Sequence, residues 1–364
     1  MKRLASLILA TFALLASTAS AEVVRAASVP EEEAVRLYGK WTVIDPVADA
    51  TATAGEPLTS DTPLSADDGW TEASSPSASI SSTLASVVSA VRDRFPESRT
   101  GGKLLLTGGV STIEGSGGGG LATWAMTTGY GAEDGIGGNV HATYVNLPDY
   151  ELRTYGVAVG LWDRVELSVA RQEFDTGATG AALGLGEGFT FTQDIVGLKV
   201  KLVGDAVYGQ DTRLPQISVG LQHKSNDQGA VIAAVGGRDD EGTDFYVAAS
   251  KLFLADSLLL NGTVRWTKAN QTGLLGFGGD QGNALEPQFE GSIGYLVSPK
   301  LIVGAEYRSK PDNLGFAKEE DAFDVFAAFA LNKNLSVTAA YVDLGSIATF
   351  EDQRGVYMSL QVGF

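Results

Sequence analysis

The sequence predicts an all-β fold: an antiparallel transmembrane β-barrel of about 14 strands, with 12 or 16 as alternatives, behind a mostly disordered amino-terminal segment. Three observations lead there. From Gly101 to Phe364 the chain is a succession of short runs in which apolar and polar residues alternate, and that period of two marks strands. The connections between runs alternate between tight turns and long loops. Beyond the amino-terminal end, no stretch approaches the roughly 18 uninterrupted apolar residues that a membrane helix needs.

In chain order, Met1, Lys2 and Arg3 form a positive start, Leu4 to Leu15 an apolar run, and Ala19, Ser20 and Ala21 a small-residue cleavage site. Residues 1–21 therefore read as a secretory signal peptide, with the mature chain starting near Glu22. The apolar run is too short to span a bilayer comfortably, which disfavours a membrane anchor. Residues 22–100 are rich in Ala, Ser, Thr, Pro and acid, as in "ATATAGEPLTSDTPLSADDGW", and such a composition buries too little apolar surface to offset chain entropy. Within it, "STLASVVSAVRDRF" sets Leu84, Val87, Val88 and Val91 at helical spacing. That predicts a short helix over 81–95, in a segment that is either periplasmic or a plug in the barrel.

The barrel domain follows, over 101–364. Its strands are expected to begin near Lys103, Leu121, Ile136, Tyr150, Val165, Thr190, Leu214, Thr243, Leu258, Pro287, Leu301, Ala322, Leu335 and Arg354. Each has about the nine to eleven residues that a tilted strand needs to cross a bilayer. Tight turns such as "LWDRVEL" and "LVSPKLIV" alternate with long loops such as "QEFDTGATGAALGLGEGF" and "KANQTGLLGFGGDQGNALE". Turns on one side and loops on the other predict a barrel in a Gram-negative outer membrane, with both termini periplasmic. "GSGGGG", Gly115 to Gly120, has no Gly-Lys-Ser/Thr behind it, so it is no phosphate loop and is expected as an extracellular turn. The acidic runs around Asp239 and Glu319 read as solvated loop charge.

The 45 glycines and the formal charge of −18 over 364 residues suit such a barrel and argue against nucleic acid as a partner. With no cysteine there is no disulfide, and no motif calls for a metal or cofactor. The expected partners are outer-membrane lipids and lipopolysaccharide, together with a small solute. The final strand "VYMSLQVGF" alternates and ends in Phe364, which resembles the carboxy-terminal signal read by the outer-membrane assembly machinery.

Aromatic positions sort by height. Tyr144, Trp266, Tyr307 and Tyr341 fall in the outward phase near the loop end, and Tyr130, Tyr295 and Phe364 in that phase near the turn end, as two interfacial girdles would. The opposite phase carries Arg164, Glu166, Lys199, Lys201, Arg265, Glu290, Glu306 and Arg308. Both signs of charge on an inner wall imply a wet or partly plugged pore; the alternative is that these charges pair and fill the interior. In "QHKSNDQG", His223 and Ser225 stand two apart on one outward face. H-x-S-N resembles the catalytic stretch of outer-membrane phospholipase and lipid A deacylase, where His takes the Ser proton for acyl transfer. The sequence offers no orienting partner for that histidine.

"GGKLLLTGGVSTIEGSGGGGLATWA", "YGVAVGLWDRVELSVARQEFDT", "FYVAASKLFLADSLLLNGTVRWTKANQTGLLGFGGD" and "GAEYRSKPDNLG" resemble an uncharacterised proteobacterial outer-membrane family, domain of unknown function 3034. The resemblance covers most of 101–364, implies an envelope location, and brings no activity and no functional residue with it. The expected function is a channel or porin-like barrel for passive passage of small solutes. The rivals are a lipid hydrolase using His223 and Ser225, and a structural or surface-binding barrel.

Overall fold

The computed structural model describes residues 102–108 and 110–364. The expected signal peptide, the acidic segment of 22–100 and the helix over 81–95 lie outside the described residues.

Twelve antiparallel strands close into a barrel, so the expectation of fourteen is corrected. They are β1 (Ile136–Asn146), β2 (Glu151–Leu161), β3 (Val165–Asp175), β4 (Thr190–Val203), β5 (Gln216–Asn226), β6 (Glu241–Phe253), β7 (Leu258–Thr267), β8 (Glu286–Ser298), β9 (Leu301–Arg308), β10 (Ala322–Ala330), β11 (Leu335–Asp343) and β12 (Arg354–Gly363). Each pairs with its sequence neighbours, and β1 pairs with β12, from Asn139 opposite Gly363 to Asn146 opposite Val356. Closure leaves no open sheet edge. Most long connections lie at one end of the barrel and most short turns at the other, where β1 begins and β12 ends; the exceptions are the long β4–β5 connection, 204–215, at the turn end and the short β1–β2 connection, 147–150, at the loop end.

The period of two decides which side chain faces where. In β12, Val356 and Met358 are exposed on the outside, while Tyr357, Ser359 and Gln361 are buried inside. The same alternation puts Leu167, Val247, Phe289, Ile293, Val325 and Phe329 on the outer surface. A soluble barrel would carry polar residues there, so this exterior is built for an apolar surrounding.

The two runs expected as strands from Lys103 and Leu121 are not in the wall. Residues 110–131 fill the lumen instead, and 110–130 are all buried. Their alternation misled because it is short and glycine-broken, and because a luminal segment sees protein on every side. The segment is a series of tight turns held by Thr112 N–H donating to Ser116 O, Ile113 N–H to Gly120 O and Trp124 N–H to Gly117 O. "GSGGGG" belongs to this segment, which overturns the extracellular turn. A Cβ on Gly118 would run into Ala122 O, and one on Gly119 into the Glu306 carboxylate, so the backbone approaches wall and neighbouring turns as only glycine allows.

Candidate functional site

The lumen is the first place where chemistry collects. Irregular backbone deep in a barrel has no water and no strand partner, so its N–H and C=O groups need side chains from the wall. Glu166 on β3 accepts from Gly117 N–H at 3.0 Å and Thr128 N–H at 2.8 Å. Glu290 on β8 accepts from Thr123 N–H at 2.7 Å, and Glu306 on β9 from Leu121 N–H at 2.8 Å. On the acceptor side, Lys199 on β4 donates to Gly117 O at 3.1 Å and Met126 O at 3.0 Å, and Thr263 Oγ1 on β7 donates to Thr123 O at 2.7 Å. The wall holds the segment from both sides.

A single carboxylate on the segment gathers the charge. Glu114, fully buried, is gripped by Arg308 through two nitrogens at 2.9 and 3.0 Å and by Lys224 at 2.5 Å, with Arg265 at 3.7 Å. Lys224 also pairs with Asp244 at 2.8 Å, and Arg265 with Glu290 at 2.5 Å while its guanidinium lies 5.1 Å from the Tyr246 ring centre. Glu114, Asp244 and Glu290 thus face Lys224, Arg265 and Arg308, three acids against three bases. A charge-balanced cluster is the arrangement that burial tolerates.

Most residues expected on the inner wall do point inward: Glu166, Lys199, Lys201, Arg265, Glu290, Glu306 and Arg308 are all buried. They meet protein rather than a water column. Lys201 stands near the turn end, bonded to Asp163 at 2.5 Å, and Lys103 joins Asp163 at 2.7 Å. Arg164 is corrected: it is exposed in the β2–β3 turn, where left-handed Trp162 and Asp163 interrupt the strand phase. Tyr130 is corrected as well. It is only 6% exposed, because it closes the luminal segment and donates its N–H to Phe364 O at 2.8 Å. The other aromatics, Tyr144, Trp266, Tyr295, Tyr307, Tyr341 and Phe364, stand exposed on the exterior.

His223 and Ser225 do share the outer face of β5. The imidazole Nδ1 meets Thr243 Oγ1 at 3.0 Å, a neutral hydroxyl where a hydrolase would set an acid or amide. Asp194, opposite Ser225 on β4, is held by Arg171 through two bonds of 2.7 and 2.8 Å.

A second feature was missed by the sequence reading. At the loop end a cavity of about 430 Å³ lies above the luminal segment, whose Ile113 and Leu121 reach its lining. Tyr150, Phe174 and Phe191 from the barrel rim and Leu183, Leu185, Val231, Leu274 and Leu275 from three loops complete an apolar wall. Tyr150 and Phe174 stack with ring centres 4.9 Å apart. Arg308 and Lys310 reach its edge. Arg308 is committed to Glu114, and Lys310 lies 3.4 Å from Glu319. Glu319, expected as solvated charge, is buried and accepts from Gln271 N–H at 2.6 Å. Burial pushes its carboxyl above the ordinary range, against the pull of Lys310. The signal available in the sequence was the loop composition: "AALGLGEGF", "AVIAAV" and "GLLGFGG" are too apolar for loops that only face water.

Among solved structures the chain is similar to the KdgM porin, with a TM-score of 0.41, 10% identity, and coverage of 62% of this chain and 99% of that one. It is similar to the NanC porin with a TM-score of 0.39, 12% identity, and coverage of 62% and 98%. For outer membrane phospholipase A from Escherichia coli the values are 0.34, 9%, 63% and 92%. No curated protein matches the sequence. The family model described as protein of unknown function DUF3034 matches residues 107–361, and the chain belongs to that family.

Proposed function

We propose that the protein is an outer-membrane barrel that passes small solutes through a lumen its own luminal segment keeps closed at rest. The apolar exterior supports the membrane setting, with outer-membrane lipid and lipopolysaccharide as surroundings, and the final strand ending in Phe364 serves as the address for the assembly machinery. The observation that carries the function is the mode of attachment of 110–131. The segment is held by side-chain carboxylates, ammonium groups and hydroxyls of the wall and shares no continuous strand ladder with it. Such contacts are separable without opening the barrel, whereas a strand ladder is not. Transport then requires the segment to shift, and Glu114 is the group whose release frees it.

Single-channel recording on refolded protein tests this. The wild type is expected to show low, infrequent conductance. Glu114→Gln removes the charge that Arg308, Lys224 and Arg265 surround, and breaking a buried pair of this kind costs about 3–5 kcal/mol. That variant is expected to open often and to larger levels. If both remain silent while the barrel is intact, the passage reading fails and a structural or surface-binding barrel stands in its place. The hydrolase reading has one observation in its favour, the shared outward face of His223 and Ser225, and one against it, the neutral Thr243 on the imidazole.

A further inference from the structure

Loops at the mouth of a barrel normally face water and carry polar residues. Here they turn apolar side chains inward. Leu183 and Leu185 come from the loop after β3, Val231 from the short helix Gly229–Ala234, and Leu274 and Leu275 from the loop after β7. All five converge on one cavity of about 430 Å³, within the size range of small-molecule sites. Its floor is the luminal segment, through Ile113 and Leu121, and Phe316, 38% exposed, stands at its rim. Leaving this much apolar surface around a void forfeits both burial and dispersion energy, and an apolar occupant recovers both.

We propose that this cavity binds one small, uncharged aromatic hydrocarbon. The class follows from what lines the site. Tyr150, Phe174 and Phe191 line it, and contact between aromatic rings favours an aromatic guest beyond simple area. The cations at the edge, Arg308 and Lys310, already face Glu114 and Glu319, so an anionic guest would find no free counter-charge and would have to shed its water uncompensated. The site deepens the passage reading and rests on it for the meaning of its position: a guest that touches Ile113 and Leu121 sits directly on the segment that closes the lumen.

The test is equilibrium dialysis of radiolabelled naphthalene against the full chain in phosphatidylcholine nanodiscs, with empty nanodiscs subtracted. Saturable uptake of one naphthalene per chain is expected, with 2-naphthoate, of similar size but charged, showing none. Leu185→Asp places a charge in the wall and Ala234→Trp fills space from the rim helix; both lie in loops, away from the barrel strands. Each is expected to weaken uptake by about tenfold or more, since an uncompensated charge facing an apolar guest or a filled site removes the favourable transfer. Uptake no greater than in empty nanodiscs overturns the site, as does equal uptake of 2-naphthoate or wild-type affinity in both variants. Binding is read at equilibrium and passage as conductance, so the two readings fail separately. Saturable naphthalene uptake by a barrel that never conducts supports the site and removes the passage reading. Conduction by Glu114→Gln without saturable uptake overturns the site alone.

Discussion

His223 illustrates how much a neighbouring atom changes what a residue does. An imidazole that takes a proton from a serine becomes a cation, and it needs a carboxylate or an amide oxygen on its other nitrogen to hold tautomer and charge. Thr243 Oγ1, 3.0 Å from Nδ1, can fix the ring but offers no charge. We therefore expect purified wild type to release no fatty acid from phospholipid or lipid A, and Ser225→Ala to behave identically. Acyl release that disappears in the Ser225→Ala variant would establish the hydrolase. The shared face of these two residues was legible in the sequence because spacing of two on a strand fixes it; the identity of the third group was not, because it comes from β6 through a register that no spacing encodes. Charges such as Glu166, Lys199 and Glu290 were likewise legible as inward by phase alone. Their partners were not, since the backbone of 110–131 looked like strand and loop.

At the scale of elements, every strand of the wall begins within two residues of where alternation places it, from Ile136 to Arg354. Alternation works there because one face meets side chains of the lumen and the other an apolar exterior. It fails for 110–130, where the surroundings are protein on all sides and side-chain phase carries no cost. The glycines of "GSGGGG" were the available clue, since a cluster of residues without Cβ suits close approach as well as a turn. Gly119→Val tests this placement. A side chain there would displace the Glu306 carboxylate, which would then lose Leu121 N–H and Ala122 N–H. Each buried group left unpaired costs about 1–3 kcal/mol, enough to dislodge the segment without opening a barrel whose strand ladders are untouched. Chymotrypsin is expected to cut the variant at Trp124 while the barrel still migrates as heat-modifiable, whereas Trp124 in the wild type, 2% exposed, is expected to resist. Equal protection in both would mean that the segment tolerates a side chain at this point and is not packed as described.

Across the whole molecule, the closing residue joins three parts. Phe364 accepts hydrogen bonds from Tyr130 N–H at 2.8 Å and Gly138 N–H at 2.9 Å, and donates its own N–H to Gly138 O at 3.0 Å. The luminal segment, β1 and the end of β12 therefore meet at one position, while its ring lies on the exterior, 45% exposed, over Gly138. Those backbone bonds survive any substitution, so the side chain can be tested by itself. A charge on the lipid face near an interface costs only about 0–1 kcal/mol, and aspartate less than arginine or lysine. That is too little to unfold a barrel closed by twelve strand pairings. Phe364→Asp is accordingly expected to leave export and the stability of refolded protein nearly unchanged, yet to reduce sharply the heat-modifiable barrel recovered from the outer membrane. Phe364→Leu, which keeps the apolar character, is expected to fall between the two. The magnitudes separate the explanations. A large assembly defect paired with a small stability change points to a lost recognition signal, and a defect that merely tracks measured stability points to a weakened closing strand. Normal levels of assembled Phe364→Asp barrel would remove the carboxy terminus from assembly altogether and leave its aromatic ring as one more residue facing lipid.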